Sequence, residues 1–246
     1  SFTITVNPTP SLDPVADQRL CVGQSTTDIN FSSNVTGATF NWTNSIPAIG
    51  LPAAGSGNIP SFTTTGSGNS NVVARAEANG CLGGIRNFSI IVDPVPVIAP
   101  INDVTVCNGT TLNNILIGFP SFSWTNSNPG IGLPASGSGV GMLPAFTAFN
   151  NGITPVSATI TVTGNSNNPG CFSAPVSFQI TVNPSPSVDP VEHQFFCNEN
   201  PTSVIAFSGQ VPGTIYNWTN NNTSIGLAGS GTGNIPSFTP STTSIN

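Results

Sequence analysis

Hydrophobic and polar residues alternate along much of this chain. Ile4 and Val6 stand between polar neighbours, as do Ile90 with Val92 and Ile180 with Val182. A period of two places such residues on one face of a strand and leaves the other face polar. Val72, Ala74 and Ala76 share one face while Val73, Arg75 and Glu77 share the other, and Ala158, Ile160 and Val162 repeat the arrangement. Phe40 and Trp42 also lie two apart, as do Phe122 and Trp124, and Tyr216 and Trp218. Each pair therefore falls on one face. No stretch combines helical spacing with caps and helical length. The pattern predicts an all-β chain with almost no helix, its strands separated by Gly- and Asn-rich turns.

The same blocks return in the same order. ITVNPTPSLDPVADQRLC ends at Cys21, IIVDPVPVIAPINDVTVC at Cys107 and ITVNPSPSVDPVEHQFFC at Cys197. These cysteines stand 86 and 90 residues apart (21 to 107 to 197). FNWTNS, FSWTNS and YNWTNN follow, and then GLPAAGSGNIPSF, GLPASGSGVGMLPAF and GLAGSGTGNIPSF. A fixed period of this kind marks tandem units, each one packed module. The expected division is residues 1–8 as the closing strand of a preceding repeat, 9–94 and 95–184 as two immunoglobulin-like repeats, and 185–246 as a third, incomplete one. The fold class expected is a tandem array of immunoglobulin-like β-sandwiches set end to end.

A cysteine, a tryptophan about twenty residues on and a later second cysteine make the immunoglobulin-type spacing. On that basis Trp42, Trp124 and Trp218 are expected in sandwich cores, the alternative being exposed platforms for sugar stacking. The repeat pairs Cys21 with Cys81 and Cys107 with Cys171, leaving Cys197 odd. Pairing within units implies an oxidising compartment. Loops of about sixty residues would contribute roughly 4 kcal/mol each in the chain-entropy model.

Composition removes several classes of function. Charged residues are 5% of the 246, with no lysine, three arginines and a net charge of −6. Nucleic-acid binding and adhesion to anionic membrane need clustered cations that this chain lacks. No apolar run is long enough to span a bilayer. The chain opens on Ser1, so an export signal is expected upstream of it. The G-S-G turns lack the lysine and helix of a phosphate loop. His193 is the only histidine, and its repeat equivalents are Asp17 and Asp103, so no Ser–His–Asp set recurs with the units. The Asp13/Asp17 linker region is the one candidate for a weak calcium site. No catalytic residue, cofactor or metal is expected, and the chain reads as no enzyme.

Val6-Asn7-Pro8-Thr9-Pro10, Cys21, Phe40-Asn41-Trp42-Thr43, Gly55-Ser56-Gly57 and Cys81 follow one another in an order that resembles the PKD-like and immunoglobulin-like repeats of giant bacterial cell-surface proteins. The resemblance implies export by the type IX secretion system, a place at the cell surface, and proteins that include gliding-motility adhesins. The function expected is an extracellular structural or adhesive stalk or filament segment. Its partners would be neighbouring repeats, other copies of the chain in a bundle, or a surface polysaccharide or glycan. The competing expectation is a set of accessory carbohydrate-binding repeats of a secreted hydrolase, which a row of solvent-facing aromatics would favour.

Overall fold

The computed structural model describes residues 1–166 and 170–241. Among these the chain is all-β, and its helical elements are three single 3-10 turns at Pro47–Ile49, Pro129–Ile131 and Thr223–Ile225.

Residues 12–93 build the first sandwich. One layer is a five-stranded sheet of β1 (Gln18–Cys21), β2 (Thr39–Asn44), β3 (Ala54–Ser56), β4 (Gly68–Ala78) and β5 (Cys81–Asp93), ordered β1-β5-β4-β2-β3. β1 runs parallel to β5, and the other pairs are antiparallel. The facing layer is held by the bridges Leu12–Ser33, Ser25–Thr63 and Ile29–Ile59. Between the layers lie Leu12, Ile29, Trp42, Ile59, Val72, Phe88 and Ile90. The alternation of β4 puts Val72, Ala74 and Ala76 inside with no exposed surface. Burying each large aliphatic side chain contributes about 1.5–3 kcal/mol.

The second sandwich repeats the plan. β6 (Val104–Cys107), β8 (Phe122–Asn126), β9 (Ser136–Gly139), β11 (Val156–Gly164) and β12 (Val176–Asn183) form a sheet ordered β6-β12-β11-β8-β9, with β6 parallel to β12. Its facing layer contains β7 (Thr111–Leu112) paired with β10 (Phe146–Thr147). Ile160, Ile180 and Val182 are wholly buried between the layers. Further on, β13 (Asn217–Thr219) pairs with β14 (Ser230–Thr232), and a bridge joins Ile205 to Ile235.

One expectation is corrected, and one strand is not formed. Residues 1–8 form no strand, and Ile4 and Val6 are 76% and 87% exposed. A strand needs a neighbour to take its backbone hydrogen bonds, and among the described residues no other strand pairs with this segment. The cysteine pairing also differs. Cys21 lies beside Asp93 at the end of β5, whereas Cys81 begins that strand. The strand's thirteen residues extend about 40 Å at roughly 3.3 Å each, far beyond the Cα separation a disulfide tolerates. Cys107 and Cys171 are parted in the same way, because Cys107 lies beside Asn183 at the end of β12 and Cys171 precedes that strand. The bond formed is Cys21–Cys171, with Cα atoms 5.6 Å apart, and Cys81 and Cys107 are free. It joins one sandwich to the next rather than one sheet to the other.

Candidate functional site

The joint between the two sandwiches is built from a strand end, a short linker and a hairpin loop. β1 stops at Cys21 because the chain turns there. Gln24 N donates to Cys21 O at 3.0 Å, and Gly23 takes the left-handed φ of 89° that the turn requires. The Gln24 side chain accepts from Cys21 N at 2.9 Å, and Thr64 Oγ1 donates to Cys21 O at 2.9 Å. Val22 N then donates to Asp93 O at 3.0 Å, which fixes the turn against the end of β5. Arg19 grips the Asp93 carboxylate at 2.8 and 3.2 Å, and this hydrogen bond raises the Arg19 pKa above its usual value.

The linker is short. Asp93 closes the first sheet, and Ile98, 5% exposed, is already part of the second core. Pro94 and Pro96 lie between them and hold φ near −65°, which favours extended chain. From the second sandwich the loop after β11 reaches back to this joint. It is pinned at its base, since Ser173 Oγ accepts from Gly164 N at 2.8 Å and donates to Ala174 O at 2.8 Å. Ser166 N donates to Cys171 O at 3.1 Å. Cys21 and Cys171 are 4% and 2% exposed. Thiolate attack on a disulfide depends on access to a sulfur, so burial protects this bond. The joint thus has two covalent tethers side by side, a peptide and a disulfide.

The same turn follows the other early cysteines. Thr110 N donates to Cys107 O at 3.1 Å, and Asn200 N to Cys197 O at 3.2 Å. Asn108 N donates to Asn183 O at 2.8 Å, as Val22 N does to Asp93 O. Cys107 and Cys197 are exposed.

The tryptophans lie at mid-sandwich, away from the joint. Trp42 and Trp124 are 7% and 3% exposed, and Trp218 is half-buried. Each ring lies across a glycine of the neighbouring strand, namely Gly55, Gly137 and Gly231. A Cβ on Gly137 would stand 2.7 Å from Trp124 Cζ2, so the G-S-G block is glycine because the indole occupies that space. The indole N–H of all three is buried with no acceptor among the described residues.

One residue class was not singled out from sequence. Asn44, Asn126 and Asn220 each donate from Nδ2 to the carbonyl of Leu51, Leu133 and Leu227, at 2.7, 2.7 and 3.0 Å. Their Oδ1 atoms accept from Ile46 N, Asn128 N and Asn222 N at 3.0–3.2 Å. Each asparagine clamps the 3-10 turn that follows the tryptophan strand. The signal was available, because these residues share the parity of Phe40 and Trp42 and recur in every copy.

Asp17 and Asp103 accept from Ser89 N at 2.6 Å and Gln179 N at 2.7 Å. Asp13 accepts from Ser32 Oγ at 2.6 Å. These carboxylates brace strands separately, and among the described residues no three His, Cys, Asp or Glu side chains gather as a metal site. His193 is exposed in the third segment. Among the described residues no helix is long and apolar enough to cross a membrane.

No family model matches the chain, and no curated protein matches it. It is similar in structure to the IG1+IG2 fragment of DIP-gamma at 10% identity, covering 72% of this chain and 98% of that one, with a TM-score of 0.42. Mouse cadherin-23 EC22-24 is similar at 13% identity over 94% of this chain and 89% of that one, with a TM-score of 0.41. The insect immune protein hemolin is similar at 12% identity over 85% and 61%, with a TM-score of 0.37. The assignment to stacked β-sandwiches rests on the sheets and cores themselves.

Proposed function

We propose that this chain is a load-bearing segment of an extracellular structural or adhesive stalk, in a repetitive bacterial surface protein of the PKD-like, type IX-secreted, gliding-adhesin kind that its motifs resemble. The observation that carries this reading is the buried Cys21–Cys171 bond across the joint. A bond formed between modules, and sealed from reductant, suits an oxidising exterior. It also changes what happens under tension. Force entering at Ser1 passes along the chain to Cys21, crosses the sulfurs and leaves from Cys171. The residues between them, in a ring of sequence separation 150, cannot be drawn out while the bond holds.

Single-molecule pulling of the full chain between its termini tests this. Opening the bond exposes about 500 Å of extra contour, at roughly 3.3–3.6 Å per residue. Reduced chains are expected to show that gain and oxidised chains to lack it; equal contour lengths in both would overturn the reading. The alternative of accessory carbohydrate-binding repeats is disfavoured by the burial of Trp42 and Trp124, which leaves neither as a stacking platform.

A further inference from the structure

We propose that Cys81 and Cys107 are open halves of the same bridge, so that the early cysteine of each sandwich bonds to the late cysteine of the next and a disulfide ladder runs beside the main chain. The inference rests on the stacked-array reading above. Its warrant is the arrangement at the other end of the first sandwich, where Cys81 meets the segment that leads into it. Asn7 is the repeat equivalent of Asp93 and Asn183, the residues that close their strands beside Cys21 and Cys107. Asn7 Nδ2 donates to Asn79 O at 3.1 Å, and Cys81 Sγ lies 3.9 Å from Asn7 O. Cys81 therefore sits at the end of a preceding segment, where Cys171 meets Cys21 at the closed joint. An early cysteine paired with Asn7, as Cys21 is with Asp93, would be one strand spacing away, about 4.8 Å.

The lower half is equally prepared. Cys107 has the turn and backbone bonds of Cys21, and its thiol is free and exposed. Cys81 and Cys171 each stand twelve positions before the residue that closes their strand, Asp93 and Asn183. Their reach along the sandwich is thus the same.

Closing such a bridge removes one proton from each thiol and two electrons from the pair. A disulfide oxidant, either oxidised glutathione or a thiol–disulfide oxidoreductase, accepts the electrons and leaves as two thiols. One thiolate attacks the oxidant to form a mixed disulfide, and the second displaces it.

The test keeps the full chain and places a copy of its residues 95–176 directly ahead of Ser1. SFTITVNP at residues 1–8 matches SFQITVNP at 177–184, so the addition completes a repeat before the first sandwich. After folding in a glutathione redox buffer, peptide mapping should find the added repeat's Cys107 bonded to Cys81, with Cys21–Cys171 retained. The free-thiol count should be three of seven cysteines, against five of seven if the second bridge does not form. Cys81→Ser should return the added Cys107 to a free thiol and leave Cys21–Cys171 in place. A free Cys81 beside an intact Cys21–Cys171 bond overturns the ladder alone. A Cys21–Cys81 bond in the unaltered chain overturns both the ladder and the stalk reading.

Discussion

The first and second sandwiches share sheet order and strand register yet build their reaching hairpins differently. β4 and β5 are joined by Asn79 and Gly80 alone, with φ of 50° and 76°. This two-residue turn has both φ angles positive, which matches the twist of the flanking strands. After β11, the described residues 165–166 and 170–175 before β12 are braced by Ser173 and by the Asn165–Phe172 bridge. Between these designs the turn, the strand lengths and the loop sequence all change. The position of the cysteine relative to the joint does not. What is held constant is the place of the second cysteine, twelve positions before the residue that closes its strand.

The largest expected effect breaks the part the two sandwiches share. Trp124→Ala should cost about 3–5 kcal/mol of unfolding free energy, as removal of a buried large aromatic does. Trp218→Ala, at a half-buried ring, should cost less than half as much. Denaturant titration followed by tryptophan fluorescence separates the two, and equal costs would deny the third segment its difference. Trp124→Phe should cost less than Trp124→Ala, since it keeps most of the apolar contact and removes the N–H that lacks an acceptor.

Next comes the joint. The double variant Cys21→Ala, Cys171→Ala should lose about 2–5 kcal/mol of stability in equilibrium denaturation. A ring of sequence separation 150 lies near the upper end of that range, because loop entropy grows with the logarithm of length. Cys81→Ala should shift the midpoint little, because its sulfur is free. If Cys81→Ala destabilised the chain as much as opening the bridge, the pairing within units would have to be reinstated.

Much of this was legible in the sequence. The period of two predicted β4 and β11 with the correct buried faces, and the repeat blocks placed Phe40 with Trp42 and Phe122 with Trp124 on the matching strands β2 and β8. The cysteine partners were not legible. Spacing alone cannot say whether the second cysteine of a repeat opens a strand or lies within one, and Cys81 falls at the start of β5 instead of in its neighbour β4. That shift moves the sulfur from mid-sandwich to its rim, beside Asn7 and away from Cys21. Residues 1–8 alternate without forming a strand for a related reason. Alternation reports the capacity to form a strand, but only a neighbouring strand completes it.

Asn44→Ala and Asn126→Ala sharpen the comparison at one more shared feature. Each removes a buried side chain that donates to a leucine carbonyl and accepts from a backbone N–H. The expected cost is about 1–3 kcal/mol, chiefly from stranding those backbone partners. The two should agree closely if the modules are equivalent in their interiors.

The smallest effect concerns the hairpins themselves. Gly80→Ala forces an L side chain to a φ of 76°, where a Cβ meets no neighbouring atom within 4 Å. The cost is therefore conformational only, about 1–2 kcal/mol, and should appear as a modest fall in the denaturation midpoint. Gly164→Ala, at the last residue of β11, has an ordinary φ but puts a Cβ 3.1–3.2 Å from Phe119 and Ile98. That is a packing penalty at the top of the second core, next to the linker. Gly80→Ala should leave the Cys21–Cys171 bond intact, because the turn it strains faces the opposite end of the first sandwich. Gly164→Ala should slow the formation of that bond in a glutathione buffer, because it disturbs the loop that carries Cys171. Equal oxidation rates for the two variants would mean that the long loop tolerates displacement at its root, and that Cys171 finds Cys21 by reach alone.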